Sequence, residues 1–374
     1  MNTFVRFGSF SVVSPERVAR PLAGLAEALM EALGEDSRVV SVFDLTVLNE
    51  EWCHDGPYFP SPPEDGELLG ASPWRAVEFS DAIRFEVEVP AKNQRGFEEH
   101  EEIPTRYRIW WNGVVVLVSW EMAANTFPGM AGGHIIEEIL EAAIEKVGYT
   151  LLVQGCNPTC TYRFAHSTVW LRPGDVNQVK IQYLPGNFPT AVLARVPLAD
   201  MSDSLAALYG DIIMPLILFT RVKNLGRRVL DLEESARRDL AELLSLNSRH
   251  AELGLFGFRE KIERRWALRG WRKQGRRLVA RLWLQLAEAE AMRRTWSEQN
   301  FAFQRRLVRG MDALFARDAH NEADQVKSLD FSLLRSAVED AATRQDNHAL
   351  IAVTAAGAIA GALAGAVVSG ILAG

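Results

Sequence analysis

Cys156, Cys160 and His166 are the residues whose types and spacing most invite chemistry in this chain. Two thiols three residues apart, followed by an imidazole, could hold a zinc ion, and a thiol beside an imidazole could act as a nucleophile. Cys53-His54 forms a second pair far upstream. The C-x-x-x-C spacing is less specific than paired C-x-x-C motifs, and nothing in the sequence brings the two groups together, so ordinary cysteines are the plainer reading. Glu98, Glu99, His100, Glu101 and Glu102 offer ligands for a divalent cation, although a charge run ordinarily faces solvent. No G-x-x-x-x-G-K-[ST], H-E-x-x-H or G-x-S-x-G occurs. The expectation is a protein without catalytic residues, cofactor or metal, and an enzyme built on Cys156, Cys160 and His166 ranks third among the readings below.

Composition frames the elements that must position these residues. The chain has 374 residues, 48% hydrophobic and 24% charged, enough for two or three folded domains. A net charge of −7 argues against bulk attraction to nucleic acid. Three cysteines make no disulfide framework and suit a reducing compartment. The first residues, MNTFVRFGSFSVV, lack the charged leader and apolar core of a signal peptide, so the bulk of the chain is expected in the cytoplasm.

The first 200 residues predict an α+β sensing or binding domain, a largely antiparallel mixed sheet with two helices. Alternation over 4–13 reads as a strand. Ser14 then starts a helix with Pro15 in its first turn and Leu22, Leu25, Leu29 and Leu33 on one face. Strands follow over 39–48 and 83–89, and Asn112-Gly113 between two β-rich runs predicts a two-residue hairpin turn. A helix is predicted over 134–147, a strand over 149–154, and shorter strands near 168–171 and 179–183. Residues 50–74, rich in Pro, Gly and acids, read as a long surface loop.

Residues 201–345 predict a helical, coiled-coil-like region. Residues 203–246 read as one or two helices with Pro215 kinking DIIMPLILF, an apolar run of nine residues that is too short to cross a bilayer and suits a core helix. Gly254 and Gly257 suggest a break, after which helix resumes toward Phe315, and Asp330 starts a last helix. Residues 259–281 carry ten Lys or Arg against two Glu, with Trp266, Trp271 and Trp283 in or just beyond them. Arg264, Arg265, Arg272, Lys273, Arg276 and Arg277 are therefore the expected contacts to an anionic membrane surface. A solvated helix face, an intramolecular partner for the acidic first half such as residues 98–102, and an RNA-binding stripe are the competing readings.

Residues 349–374 form 26 consecutive positions without a charge. As a helix they would span about 39 Å, enough to cross a bilayer with some tilt. Gly357, Gly361, Gly365, Ser369 and Ala373 recur at every fourth place, while Ile359, Leu363, Val367 and Ile371 form a second row about 200° away. The small row predicts a helix-packing seam and the branched row a lipid-facing surface. Seventeen of the 26 residues are Gly, Ala, Ser or Thr, so a single copy is marginal in lipid and needs partners, or shelter in a soluble form.

Together these features predict a single-pass membrane protein with its N-terminal bulk in the cytoplasm. Its partners would be the bilayer, further copies of itself, and a protein or ligand for the first domain. At the level of layout alone the chain resembles membrane-acting effectors of bacterial conflict systems, in which a soluble sensing part controls a terminal membrane helix. That resemblance implies oligomerisation and membrane permeabilisation, as in a defence effector or toxin. The alternative is a tail-anchored scaffold whose soluble part binds partners.

Overall fold

The structure is a computed structural model that describes residues 2–14, 23–43, 50–52, 75–94, 103–122, 132–154, 164–165, 167–173, 178–182, 190–195, 201–252, 271–307 and 310–343. The chain divides into two compact units: Met1–Arg221 with Phe303–Ala319, and Val222–Ala302 with His320–Gly374.

The first unit is organised by one strand, β1 (Asn2–Ser14). Its residues 2–9 pair antiparallel with β7 (Val115–Met122), and residues 12–14 pair with β4 (Arg75–Phe79). Residues 3–5 also pair with β9 (Thr168–Pro173), and residues 9–13 with β8 (Thr150–Gln154). A strand has two edges, so β7 hands one edge to β4 while β9 hands the other to β8. Such a handover curls the sheet. Beyond β7 lie β6 (Arg106–Trp111), β5 (Ile83–Glu88) and β2 (Val39–Phe43); beyond β9 lie β11 (Thr190–Arg195) and β10 (Gln178–Gln182). A short β3 (Glu50–Trp52) pairs with β4. Among the described strands every pairing is antiparallel except β9 with β11.

Alternation along the strands assigns the two faces of the sheet. Phe4, Phe10 and Val12 of β1 join Tyr107, Ile109, Trp111, Val116, Val118 and Trp120 in the main core. Two helices close that core: α1 (Leu25–Gly34), through Leu25, Leu29 and Leu33, and α2 (Gly133–Lys146), through Ile136, Ile139, Leu140 and Ile144. Phe7, on the opposite face, meets Phe315 with ring centroids 5.8 Å apart. That second face is covered by the start of α3 (Met201–Glu252), where the Tyr209 hydroxyl donates to the Val115 carbonyl at 2.8 Å and Phe219 stacks on Phe315 at 4.9 Å.

Three expectations are corrected. Ser14 does not start a helix: it ends β1, paired with Arg75, and α1 begins at Leu25 after Gly24, whose φ is +78°. The 50–74 segment begins as a strand, because Glu50–Trp52 pairs with β4. The hairpin turn is centred one residue later than Asn112-Gly113. Asn112 pairs with Val115, and Gly113, at φ +84°, takes the first central position with Val114 after it. That is the glycine placement of a type II′ hairpin turn.

In the second unit, the remainder of α3 runs antiparallel to α4 (Trp271–Gln304). Gln274 donates to Glu242 at 2.9 Å, Arg281 pairs with Asp239 at 2.6 Å, and Arg228 pairs with Glu288 at 2.9 Å. Leu225, Val229, Leu232, Ala236, Leu240 and Leu243 of α3 are buried, as are Leu278, Leu282, Leu286, Ala289 and Trp296 of α4. Two shorter helices follow, α5 (Ala316–Lys327) and α6 (Phe331–Thr343). At Gly226 a Cβ would lie 3.0 Å from Trp296 Nε1 and 3.1 Å from Val326 Cγ2, so glycine permits the close approach of α3, α4 and α5. Asp330 caps α6 as its position predicts: its Oδ1 accepts from the Ser332 backbone N–H at 2.9 Å and the Ser332 hydroxyl at 2.6 Å. These bonds hold its carboxyl below the usual range.

Candidate membrane-associating elements

Membrane association needs apolar length, a surface that lipid can reach, or both. The fold unit is an N-terminal, largely antiparallel curled sheet followed by helices, and one of those helices is long and apolar enough to cross a membrane. It is the Met201–Leu246 part of α3, a helix that is continuous through Pro215. The nine-residue apolar run is thus part of a much longer helix. The described helix of spanning length is accordingly not at residues 349–374, which lie outside the described residues together with His348 and residues 344–347.

The surroundings of α3 decide how its apolar residues are used. Of its most apolar 18-residue stretch, 56% is buried inside the protein. Leu205, Leu208, Tyr209, Ile212, Leu216, Ile217 and Phe219 are buried. Tyr209 and Phe219 tie this stretch to β7 and Phe315 within the first unit. Exposing those side chains to lipid would require stripping the second face of the sheet. The core-helix expectation for DIIMPLILF therefore accounts for the burial of Ile212 and Pro215–Ile217, while Met214 is 44% exposed.

The basic segment is described only from Trp271 onward, so Arg264 and Arg265 lie outside the described residues. Arg272 stands in the first turn of α4, and Lys273, Arg276 and Arg277 are exposed on that helix. Leu278, Leu282 and Leu286 mark the buried stripe of α4, about half a turn from Lys273, Arg277 and Leu284. Leu284, 53% exposed, therefore shares an outward face with Lys273 and Arg277. The flank turned toward α3 uses Gln274 and Arg281 for internal polar contacts. The basic block thus divides: one side meets Glu242 and Asp239 of α3, rather than the acidic run 98–102 that the sequence suggested and that lies outside the described residues, and the other faces outward.

At the end of the described chain, α6 buries Phe331, Leu334, Val338 and Ala341. Two polar contacts tie it and the corner before it to α4. Arg293 donates to the carbonyl oxygens of Leu329, at 3.0 Å, and Lys327, at 3.3 Å, and its guanidinium sits 5.6 Å from the Phe331 ring centroid. Arg335 pairs with Glu290. No sequence pattern marks Arg293: it is one arginine among many on a charged helix, and only its partners distinguish it.

Cys156, Cys160, His166, Cys53, His54 and the acidic run 98–102 all lie outside the described residues. Among the described residues no group of three His, Cys, Asp or Glu side chains is placed to hold a metal ion. Gln94, four residues before the acidic run in sequence, ties two described segments together. Its amide donates to the carbonyls of Val89 and Pro104, and its Oε1 accepts from the Tyr107 hydroxyl at 2.8 Å. Burial pushes the Tyr107 phenol well above its ordinary value, so this bond is a neutral structural contact. Comparison with known proteins finds no matching family model, no matching curated protein and no matching solved structure.

Proposed function

We propose that this chain is a non-enzymatic membrane-associating protein. The curled-sheet unit receives a partner or ligand, and residues 349–374 enter the bilayer and self-associate through Gly357, Gly361, Gly365, Ser369 and Ala373. The observation that carries this reading is the 26-residue charge-free run with glycine or a small residue at every fourth place. In lipid such a row lets backbones approach closely and gain dispersion and Cα–H···O contacts, while Ile359, Leu363, Val367 and Ile371 meet the acyl chains. The burial of α3 supports the same assignment, because the other long apolar helix already spends most of its apolar stretch on the protein core.

The outward basic face of α4 would hold the helical unit near anionic headgroups, with Lys273, Arg277 and the exposed Leu284 on one side of the helix. Membrane permeabilisation by the assembled seam, as in a bacterial defence effector, is the output we assign to it. A tail-anchored scaffold shares the anchor and lacks the seam.

Gly361→Ile separates the two. The substitution places a branched side chain in the middle of the seam, while isoleucine partitions into lipid better than glycine. The variant should stay in the membrane fraction yet lose crosslinked oligomers and dye leakage from liposomes. Leu363→Ala, on the opposite row, should reduce insertion more than self-association. Parent-like oligomers and leakage from Gly361→Ile would leave the tail as an anchor only.

A further inference from the structure

Helix α6 is the last described element before residues 349–374, and among the described residues its attachment to the helical unit is narrow. Its own apolar contribution is four buried residues, Phe331, Leu334, Val338 and Ala341, while Leu333 on its outer side is 72% exposed. The rest of the attachment is polar. Arg293 reaches from α4 into the corner between α5 and α6. There it donates to the carbonyls of Lys327 and Leu329 and lies over Phe331. A guanidinium at this corner satisfies carbonyls that the end of α5 leaves open, and its charge complements the helix dipole. One turn earlier on α4, Glu290 takes Arg335 of α6. Both side chains of that pair are more than 40% exposed, so it is screened by solvent and salt.

We propose that α6 is a detachable arm that restrains the apolar segment following it, and that Arg293 is its principal fastening. A short helix held by four buried apolar residues and one half-exposed ion pair belongs to the low-stability end of a protein, where local opening precedes global unfolding. While α6 is docked, residue 343 is held against the helical unit, and the charge-free run is limited to the reach of the residues between. When α6 opens, that reach lengthens by the helix and its corner. The fastening works as an autoinhibitory contact, and its strength sets how readily residues 349–374 meet a bilayer. This inference rests on the membrane reading above.

The test uses the full chain with neutral phosphatidylcholine vesicles, which take the basic face of α4 out of the comparison. Arg293→Met keeps the apolar stem over Phe331 and removes the donors and the charge. Arg294→Met is the control, because Arg294 is 86% exposed and, among the described residues, pairs with Glu298 on its own helix. Amide hydrogen exchange over residues 331–343 should quicken by about tenfold in Arg293→Met, the loss expected for charged hydrogen bonds that are partly open to water. The vesicle-bound fraction should rise with it, and Arg294→Met should match the parent in both. Should Arg293→Met perturb the whole unit, Arg335→Gln removes only the exposed pair and should move both readouts the same way by a smaller factor. Parent-like exchange in Arg293→Met would refute the fastening. Faster exchange with an unchanged bound fraction, in a parent that does bind vesicles, would refute the restraint alone. Absence of binding by the parent and every variant would overturn the membrane reading and this inference with it.

Discussion

Gly113 meets two constraints at once. Its φ is +84°, and a Cβ there would sit 2.4 Å from the Val77 carbonyl oxygen and 3.1 Å from the Phe79 ring. Neither can be relieved by a side-chain rotation, because the nearest atom is backbone. Gly113→Ala should therefore destabilise the first unit by at least about 2 kcal/mol, the sum of left-handed strain and overpacking. The check is the urea midpoint followed by tryptophan fluorescence, and a shift under about 0.5 kcal/mol would show that β4 yields at little cost. The Asn-Gly pair made this hairpin legible in the sequence, but not its centre. Asn112 contributes its side chain: Oδ1 accepts from the N–H groups of Val114 and Val115, and Nδ2 donates to Glu78. A side chain that completes the turn moves the positive φ onto the glycine alone. Arg293 is the converse case, a residue whose role depends on three partners between 34 and 38 positions away along the chain, which no local pattern contains.

Elements with strong periodicity are legible in the sequence nearly where they stand. The helix expected over 134–147 occupies Gly133–Lys146, and the 149–154 strand is Thr150–Gln154. Strand β3 is not legible inside a Pro- and Gly-rich segment, because three residues carry no periodicity. Strand β11 is not legible because its place is set by parallel pairing with β9, a long-range contact. The 203–246 reading lies close to α3, and its open choice between one helix and two falls to one helix, continuous through Pro215, for a physical reason. Asp211 and Pro215 interrupt its hydropathy, yet the buried positions Leu205, Leu208, Ile212, Leu216, Phe219, Val222, Leu225, Val229 and Leu232 keep three- and four-residue spacing throughout. A buried stripe of that spacing stabilises a helix against one proline. The basic block on α4 gives the prediction at this scale. Replacing Arg272, Lys273, Arg276 and Arg277 with Gln should weaken binding to phosphatidylserine-containing liposomes by about 1 kcal/mol per charge at the surface, and less farther out. Co-sedimentation at low salt checks it. Unchanged binding together with reduced solubility would assign these residues to the fold instead.

At the scale of the whole molecule, two apolar segments compete for the role of membrane element, and their surroundings differ. Helix α3 is long enough, but its apolar residues cover the second face of the sheet in the first unit and line the α3–α4 contact in the second. Residues 349–374 have length and charge-free composition, with a row of small residues that a soluble core has no need of. Assigning insertion to the second segment lets both units remain folded at a membrane. The most direct measurement is alkaline-wash fractionation of the full chain beside a chain ending at His348. The full chain should stay in the pellet, and the shortened chain should be soluble and unfold cooperatively. A shortened chain that still resists the wash would contradict the account and return α3 or the basic face of α4 as the element that holds the membrane.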